Sequence, residues 1–422
     1  MRCRNCFSKN FHKIINIGKQ PLSGIFYNNK KNRLPKYSLD LYRCKKCKLI
    51  QLSKDMPASE MYGNKYGYQT SISRLMVNHL KEKFKYLKRN KIIGKKSNIL
   101  DIGSNDGTFL NFFNNSYNLY GVDPSGVKYK HFYRKDITLI PNFFSVENLA
   151  KFFWKKKKIK FDLITSFAIF YDISDPNKFC NDVYQSLKDN GIWMLEFSYF
   201  PLMLKNLTYD QICHEHITYY TLEVFKKIIE KNNLKIIDIN LNEINGGSIE
   251  IVCAKRTSKK IINKSKISST LKEEKKINFK SYKNFNQRIT QVKKNFSLFF
   301  KKNNKSLIIG YGASTKGNIV INHCDINSKN IKFICDSNKN KYDLFTPGKN
   351  IKIISKEKMR KLNPDYLVVF IWSFRKEVIS EEINFIKNGG KLVFHLPKFH
   401  IVDKSNYKFY LQKKFSELSY NY

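Results

Sequence analysis

What this 422-residue chain lacks narrows the field first. It has no uninterrupted apolar run of about 18 residues, so no segment reads as a membrane-spanning helix. The opening stretch Met1–Cys6 has no apolar centre of the kind a secretory signal needs. Nine cysteines, several of them in C-x-x-C pairs, therefore point to metal-bound or free thiols rather than disulfides, and to a cytosolic protein. Acids are scarce, with 34 Asp and Glu against 78 Lys and Arg and a formal net charge of +44. Such a field favours polyanions. Yet lysine is spread through almost every segment, and the tightest cluster, Lys155–Lys158, is not interleaved with a platform of stacking aromatics. Nucleic acid is not the expected partner; an anionic small molecule would benefit from the same field.

The dinucleotide fingerprint G-x-G-x-x-G is also missing from the first strand–turn unit. In its place stands Asp101-x-Gly103-x-x-x-Gly107, after the short apolar run at Asn98–Leu100 and before an apolar stretch reaching Phe113. The pattern predicts a strand, a glycine turn and a helix start. A second acid, Asp123, closes the next strand at Tyr120–Pro124, about 20 residues on, where a carboxylate is placed to accept from two ribose hydroxyls. A pyrophosphate site wants bare N–H groups at a helix N-terminus. Asp106 near that terminus would repel phosphate, so the loop suits a cationic or zwitterionic ligand. The arrangement resembles motif I of class I S-adenosylmethionine (SAM) methyltransferases, which makes Asp101, Gly103, Ser104, Asn105, Gly107, Asp123 and Pro124 the expected cofactor contacts.

With 42% hydrophobic and 14% aromatic residues there is core material for two or three domains. Residues 1–55 form a small unit with two knuckles, Cys3-x-x-Cys6 and Cys44-x-x-Cys47, and a strand at Leu49–Leu52. Together the knuckles complete a four-thiolate tetrahedral site. A closed ligand set argues for structural zinc, since a catalytic zinc keeps an open position, and so small a unit leans on its metal to fold. Residues 56–256 then carry a lead-in with Tyr62, Tyr66 and Tyr68, an amphipathic helix through Met76, Val77, Leu80, Phe84 and Leu87, and a cofactor domain from about 91 with strands at Phe161–Phe170, Ile192–Glu196 and Ser248–Cys253. Residues 257–305 are lysine-rich and helical. Their apolar stripe, Ile277, Tyr282, Phe285, Ile289, Val292, Phe296 and Phe299, is expected to dock on the chain's own domains. A second α/β unit, 306–422, begins with the strand and glycine turn Ser306–Ala313 and continues with strands at Ile331–Asp336, Asp365–Phe370 and Lys391–Phe394. Backbone N–H groups around Gly310 and Gly312, with Lys316, are suited to hold a phosphate there, or the turn is purely structural.

The densest polar cluster is Tyr209–Tyr220, with Cys213, His214, Glu215 and His216 in succession. Three readings stand: a second metal site from Cys213, His214 and His216; histidines satisfied by hydrogen bonds; or a histidine general base oriented by Glu215 or a tyrosine. Methyl transfer from an activated sulfonium needs little beyond positioning. A carbon acceptor, however, must first become an enolate, which requires a base and donors for the developing oxyanion.

The order of the two C-x-x-C knuckles, Asp101–Gly107, His214-Glu215-His216, Gly246-Gly247-Ser248, Gly310–Asn318 and Pro347-Gly348 resembles the three-domain sugar C-methyltransferases acting on nucleotide-linked keto-deoxysugars. The resemblance implies an α/β protein: a class I SAM domain with an N-terminal zinc-binding domain and a C-terminal Rossmann-like domain. It implies SAM and structural Zn2+ as cofactors and a TDP-type nucleotide sugar between domains. His216 would form the enolate at C3, with Glu215, His214 and Tyr68 near the sugar and Gly310, Gly312, Lys316 and Asn318 holding substrate. A monomer or weak dimer is expected. Two departures stand out: Cys213 replaces a tyrosine, and Phe170–Pro176 lacks the histidine that follows the fourth strand. Tyr171 and Asp172 are expected to take over that polar role. Sugar O-methylation, or nucleic-acid binding through the zinc unit, are the alternatives.

Overall fold

The computed structural model describes residues 1–31, 33–54, 56, 68–153 and 159–422. Tyr62, Tyr66 and the cluster Lys155–Lys158 lie outside the described residues.

The first sheet is antiparallel: β1 (Phe11–Gln20), β2 (Tyr37–Cys44) and β3 (Ile50–Leu52). Leu39 and Leu41 of β2 face one way at strand period and are fully buried. The second sheet has seven strands: β4 (Asn98–Ile102), β5 (Asn118–Val122), β6 (Ile137–Ile140), β7 (Phe161–Phe167), β8 (Leu187–Ser198), β10 (Leu234–Asn242) and β11 (Ser248–Lys255). Their order is β10-β11-β8-β7-β4-β5-β6, parallel from β8 to β6, with β11 antiparallel to both of its neighbours. Covered on both faces, the central strands read as continuous apolar runs; Ile99, Leu100, Leu163, Ile164 and Trp193 are all inaccessible to solvent. The parallel pairs bring the carboxyl ends of β4, β5 and β7 to one edge, where open α/β sheets bind ligands. The short strand β9 (Thr218–Tyr219) leaves this domain and joins the first sheet, pairing with β3 through Ile50–Tyr219 and Gln51–Thr218.

The helix start expected after Gly107 does not form. Only a single 3-10 turn, Leu110–Phe112, separates the glycine turn from β5. Asp106 turns its carboxylate onto the chain beside it, accepting from Thr108 Oγ1 at 2.6 Å, a local bond that competes with helix. Phe109 and Phe113 instead pack edge-on, 5.2 Å apart, with Phe84 on Phe113 at 4.8 Å.

Phe84 belongs to the helix Arg74–Arg89, capped by Ser73 and burying Met76, Leu80 and Leu87 as its spacing predicts. Lys83 is buried on the same face. It meets Glu196 of β8 at 2.8 Å and also Glu250 of β11, while His79 Nε2 lies 2.7 Å from Glu196. Burial alone would raise the Glu196 carboxyl; His79 and Lys83 outweigh it and hold the group down at about 2.

The stripe on Phe279–Lys302 docks internally. Asn286 Nδ2 donates to Ile14 O of β1 at 2.8 Å, and Phe299 packs edge-on against Tyr366 at 5.2 Å. Tyr366 lies in the third sheet, which comprises β12 (Ile308–Tyr311), β13 (Ile334–Asp336), β14 (Ile353–Ser355), β15 (Tyr366–Val369), β16 (Lys391–Phe394) and β17 (His400–Val402). The order is β14-β13-β12-β15-β16-β17, parallel except for β17.

Candidate active site

The two cysteine knuckles are built alike. Cys3 N–H donates to Ser8 O at 2.9 Å and Phe7 N–H to Cys3 O at 2.9 Å; Cys44 N–H donates to Leu49 O at 2.9 Å and Lys48 N–H to Cys44 O at 3.1 Å. Phe7 and Lys48, each just after its second cysteine, have positive φ of 59° and 70°. The knuckles face each other with Cys3 Sγ 3.3 Å from Cys47 Sγ and Cys6 Sγ 3.6 Å from Cys44 Sγ, and all four sulfurs lie within 4.8 Å of one another. Four thiolates at about 2.3 Å around one zinc would stand roughly 3.8 Å apart, so the donor set fits that ion. Among the described residues this is the only such metal-type group.

A cavity of about 1420 Å³ opens where the second and third sheets face each other. One ligand usually occupies about 300–1,000 Å³, so there is room for a donor and an acceptor together.

On the first side lies the turn after β4. Gly103 has φ 71°, and a Cβ there would lie 1.7 Å from Ile169 Cδ1; Gly107 has φ 74° and is backed by the Tyr133 ring. The backbone can therefore approach a ligand as a side chain would not allow. Asp101 accepts from Thr165 Oγ1 at 2.6 Å; burial lifts it to about 7, with the Thr165 bond opposing. Asp123 accepts from Ser125 N–H and Oγ, both at 2.6 Å, and from Asn105 N–H at 2.9 Å. Ser104 Oγ is 2.8 Å from Tyr133 Oη, and Pro124 also lines the cavity. Asp106 does not guard this site: its second oxygen accepts from Ser71 N–H at 2.9 Å, and Asn105 Oδ1 accepts from Thr70 N–H at 3.0 Å. The two side chains hold the lead-in segment over the turn. The acids and the glycine cradle fit a cationic, ribose-bearing cofactor such as SAM.

The opposite wall repeats this backbone. Gly312 after β12 has φ 92°, and a Cβ there would lie 2.5 Å from Ile371. Asp336 at the end of β13 accepts from Asn338 N–H at 2.8 Å, much as Asp123 does from Ser125. Lys341 Nζ donates to Ala313 O at 2.8 Å and stands 3.6 Å from Asp336. Lys316 lines the cavity, but Gly310 does not. Asn318 is also away from it, fully buried, with its amide donating to Ser23 O at 2.8 Å; it ties the zinc unit to this domain.

Between the walls runs Cys213–His216. Cys213, Glu215 and His216 line the cavity and His214 does not. His214 is buried beside Tyr37 at 5.9 Å between ring centres, where burial holds it down at about 4. Neighbours in sequence thus point to opposite sides, and a joint metal site of Cys213, His214 and His216 is not formed. His216 Nδ1 donates to Gln211 O at 2.9 Å, which leaves Nε2 the unprotonated nitrogen, and its ring lies 4.0 Å from that of Tyr171. Burial, then the Lys316 charge, holds His216 down at about 3. Glu215 is raised by burial. A Cβ on Gly24 would lie 2.6 Å from Glu215 Oε1, so the zinc-unit loop closes directly over that carboxylate. Tyr171 and Asp172 line the same space, and Tyr68, partly exposed, sits at its edge near the turn.

Three contributors escaped the sequence. Asp210 accepts from Trp372 Nε1 at 2.8 Å; Asn245 accepts from Lys316 Nζ at 2.8 Å; Gly24 covers Glu215. A Cβ on Gly246 would meet Trp372 at 2.6 Å, a close approach between domains, while one on Gly247 would meet Leu202 of its own domain at 2.7 Å. That pair was the one signal that could have drawn attention to Asn245.

Compared with known proteins, residues 3–62 match the profile of a zinc binding domain, residues 72–239 that of a methyltransferase domain and residues 243–397 that of a C-methyltransferase C-terminal domain. The chain is 24% identical over 409 residues to the C-methyltransferase NovU of Streptomyces niveus, covering 95% of this chain and 96% of that one. Among solved structures it is similar to a SAM-dependent methyltransferase of Clostridium acetobutylicum, at 17% identity and TM-score 0.31 over 42% of this chain and 90% of that one. It is also similar to the Synechocystis magnesium protoporphyrin IX methyltransferase with bound SAM, at 13% identity and TM-score 0.32 over 47% and 89%. Neither structural likeness carries weight at those scores. The chain has the three-domain architecture of the NovU-like SAM-dependent C-methyltransferases, with a four-cysteine zinc-binding domain, a class I Rossmann-like SAM domain and a second C-terminal α/β domain, and it is a SAM-dependent methyltransferase.

Proposed function

We propose that this enzyme methylates carbon, at C3, of a nucleotide-linked 4-keto-deoxysugar through an enolate that His216 generates. The observation that carries the reading is the placement of His216. Its Nδ1–H is committed to Gln211 O, so Nε2 is left as a proton acceptor in the cavity that also holds the Asp101–Asp123 cofactor turn. A methyl transfer needs alignment of donor and acceptor; a carbon acceptor must in addition lose its α-proton, and a pinned, unprotonated imidazole beside a lysine is suited to take it. Bound SAM supplies an electrophilic methyl group on a sulfonium. Asp123 and the Gly103 turn hold and orient that cofactor, and the sugar's nucleotide lies toward Gly312 and Lys341. Tyr171 packs on the His216 ring and, with Asp172, stands in for the histidine that the resembled enzymes carry after the fourth strand. The acceptor is a TDP-type sugar nucleotide.

The test is deuterium uptake. With a panel of nucleotide-linked keto-sugars in heavy water and no methyl donor, the enzyme should exchange the proton α to the ketone, and His216→Asn should lower that exchange by at least ~100-fold, within the usual range for losing an acid–base group. Mass spectrometry after adding SAM then locates the methyl. Exchange at the normal rate in His216→Asn removes the histidine from the base role.

A further inference from the structure

We infer that Lys316 is a catalytic residue of the enolisation, its ammonium donating to the acceptor's carbonyl oxygen as that oxygen takes up negative charge. The inference rests on the keto-sugar reading above. Lys316 enters from the C-terminal domain, in the first turn of the helix Thr315–His323, yet its Nζ reaches across the cavity to the SAM domain and donates to Asn245 Oδ1 at 2.8 Å. The same Asn245 accepts, through its main-chain oxygen, from Gln211 Nε2 at 2.6 Å. Gln211 in turn accepts His216 Nδ1–H through its own main-chain oxygen at 2.9 Å. Base and cation are therefore registered to one another through two residues, Gln211 and Asn245.

The surroundings fit an oxyanion donor better than a phosphate ligand. Burial pulls the Lys316 ammonium down, and Asp210, held by Trp372, opposes that as its counter-charge; Asp210 Oδ1 has no hydrogen-bond partner among the described residues. Of the other lysines on this wall, Lys341 stays with Asp336 and Ala313 near the nucleotide end of the third sheet, and Lys356 is paired with Glu381 at 2.6 Å. Cys213, which stands where the resembled enzymes have a tyrosine, is buried and neutral, and a thiol is a weak donor. A second donor is needed, and Lys316 supplies it. The need is sharpened by His216 itself: a base held so far below the usual imidazole range is available at all physiological pH but accepts protons weakly, so the enolate must be strongly stabilised.

The step balances on the substrate alone. The C–H bond α to the ketone breaks and its proton passes to His216 Nε2. The bond's electron pair becomes the new C=C bond, the carbonyl π pair moves onto oxygen, and that oxygen accepts from Lys316.

The test is Lys316→Met, assayed for α-proton exchange without methyl donor at saturating acceptor, together with calorimetric binding of SAM and of thymidine diphosphate. Exchange should fall roughly 100- to 1,000-fold, the usual loss for one oxyanion donor, with both affinities within about twofold. Normal exchange at saturation with weakened thymidine diphosphate binding overturns the proposal and makes Lys316 a phosphate ligand. If Lys316→Met no longer binds SAM, Asn245→Gly is read instead. Glycine accepts the φ of 57° found there and leaves the ammonium unpinned; about a tenfold loss of exchange is expected, and an unchanged rate overturns the proposal. Absence of exchange by the unaltered enzyme on every keto-sugar defeats the keto-sugar reading and this inference together. Exchange by the unaltered enzyme that survives in Lys316→Met defeats this inference alone.

Discussion

The second and third sheets carry the same backbone device and opposite chemistry. In each, a glycine of positive φ follows the central strand, Gly103 at 71° and Gly312 at 92°, and an isoleucine just past an adjacent parallel strand fills the space a Cβ would need. In each, an acid ends the neighbouring strand and accepts from the N–H two residues later, Asp123 from Ser125 and Asp336 from Asn338. Two positions before the glycine the halves part. The first has Asp101, buried beside Thr165; the second has Gly310, whose missing side chain leaves room for Phe370 and Ile334. Beyond the turn, Asp106 of the first is turned away onto Thr108 and Ser71, whereas the second places Lys316 in the cavity. A glycine turn thus fixes where a ligand can approach, while one or two side chains decide its charge.

The comparison breaks most readily at the glycines. Gly103→Val should weaken SAM binding by about 2–5 kcal/mol, from a strained φ and an overpacked Ile169, with thymidine diphosphate affinity unchanged. Gly312→Val should do the reverse. Calorimetry with each ligand checks both, and a variant that loses both ligands would show that the halves do not act separately. A smaller effect sharpens the role of Asp101. Burial holds it at about 7, so the carboxylate is protonated below that pH and must lose its proton to meet a cationic ligand. SAM affinity should rise with pH by up to about tenfold per unit below 7 and level off above it. In Asp101→Asn the slope should vanish, and at Gly310 there is no counterpart to titrate. The folding contribution has the opposite sign: a raised carboxyl stabilises fully below the usual carboxylate range, and that stability is lost as pH rises to about 7. Least of all, Ser125→Ala removes one donor to Asp123 while keeping its N–H, and should cost SAM about 0.5–1.5 kcal/mol; an unchanged dissociation constant would mean that Ser125 does not set the carboxylate's position.

Much of this was legible in short stretches. The C-x-x-C pairs, the Asp101–Gly107 turn and the stripe from Tyr282 to Phe299 are local patterns whose geometry follows from a few residues of backbone. The helix expected after Gly107 was misread because Asp106 and the aromatics at 109 and 113 found local and tertiary partners that outweigh one more helical turn. Spacing alone did not separate His214 from His216; the resemblance named His216, and the fold sets His216 on the cavity and His214 in the core. Asn318, placed with the substrate by its motif, fastens Ser23 instead.

From sequence alone came the donor, the metal and the order of the domains, because each is written in residues close together along the chain. That His214 turns into the core, which lysine crosses to Asn245, and that Gly24 covers Glu215 were decided by contacts between segments far apart in the chain. Such contacts exist only after three sheets have packed, and no spacing of residue types encodes them.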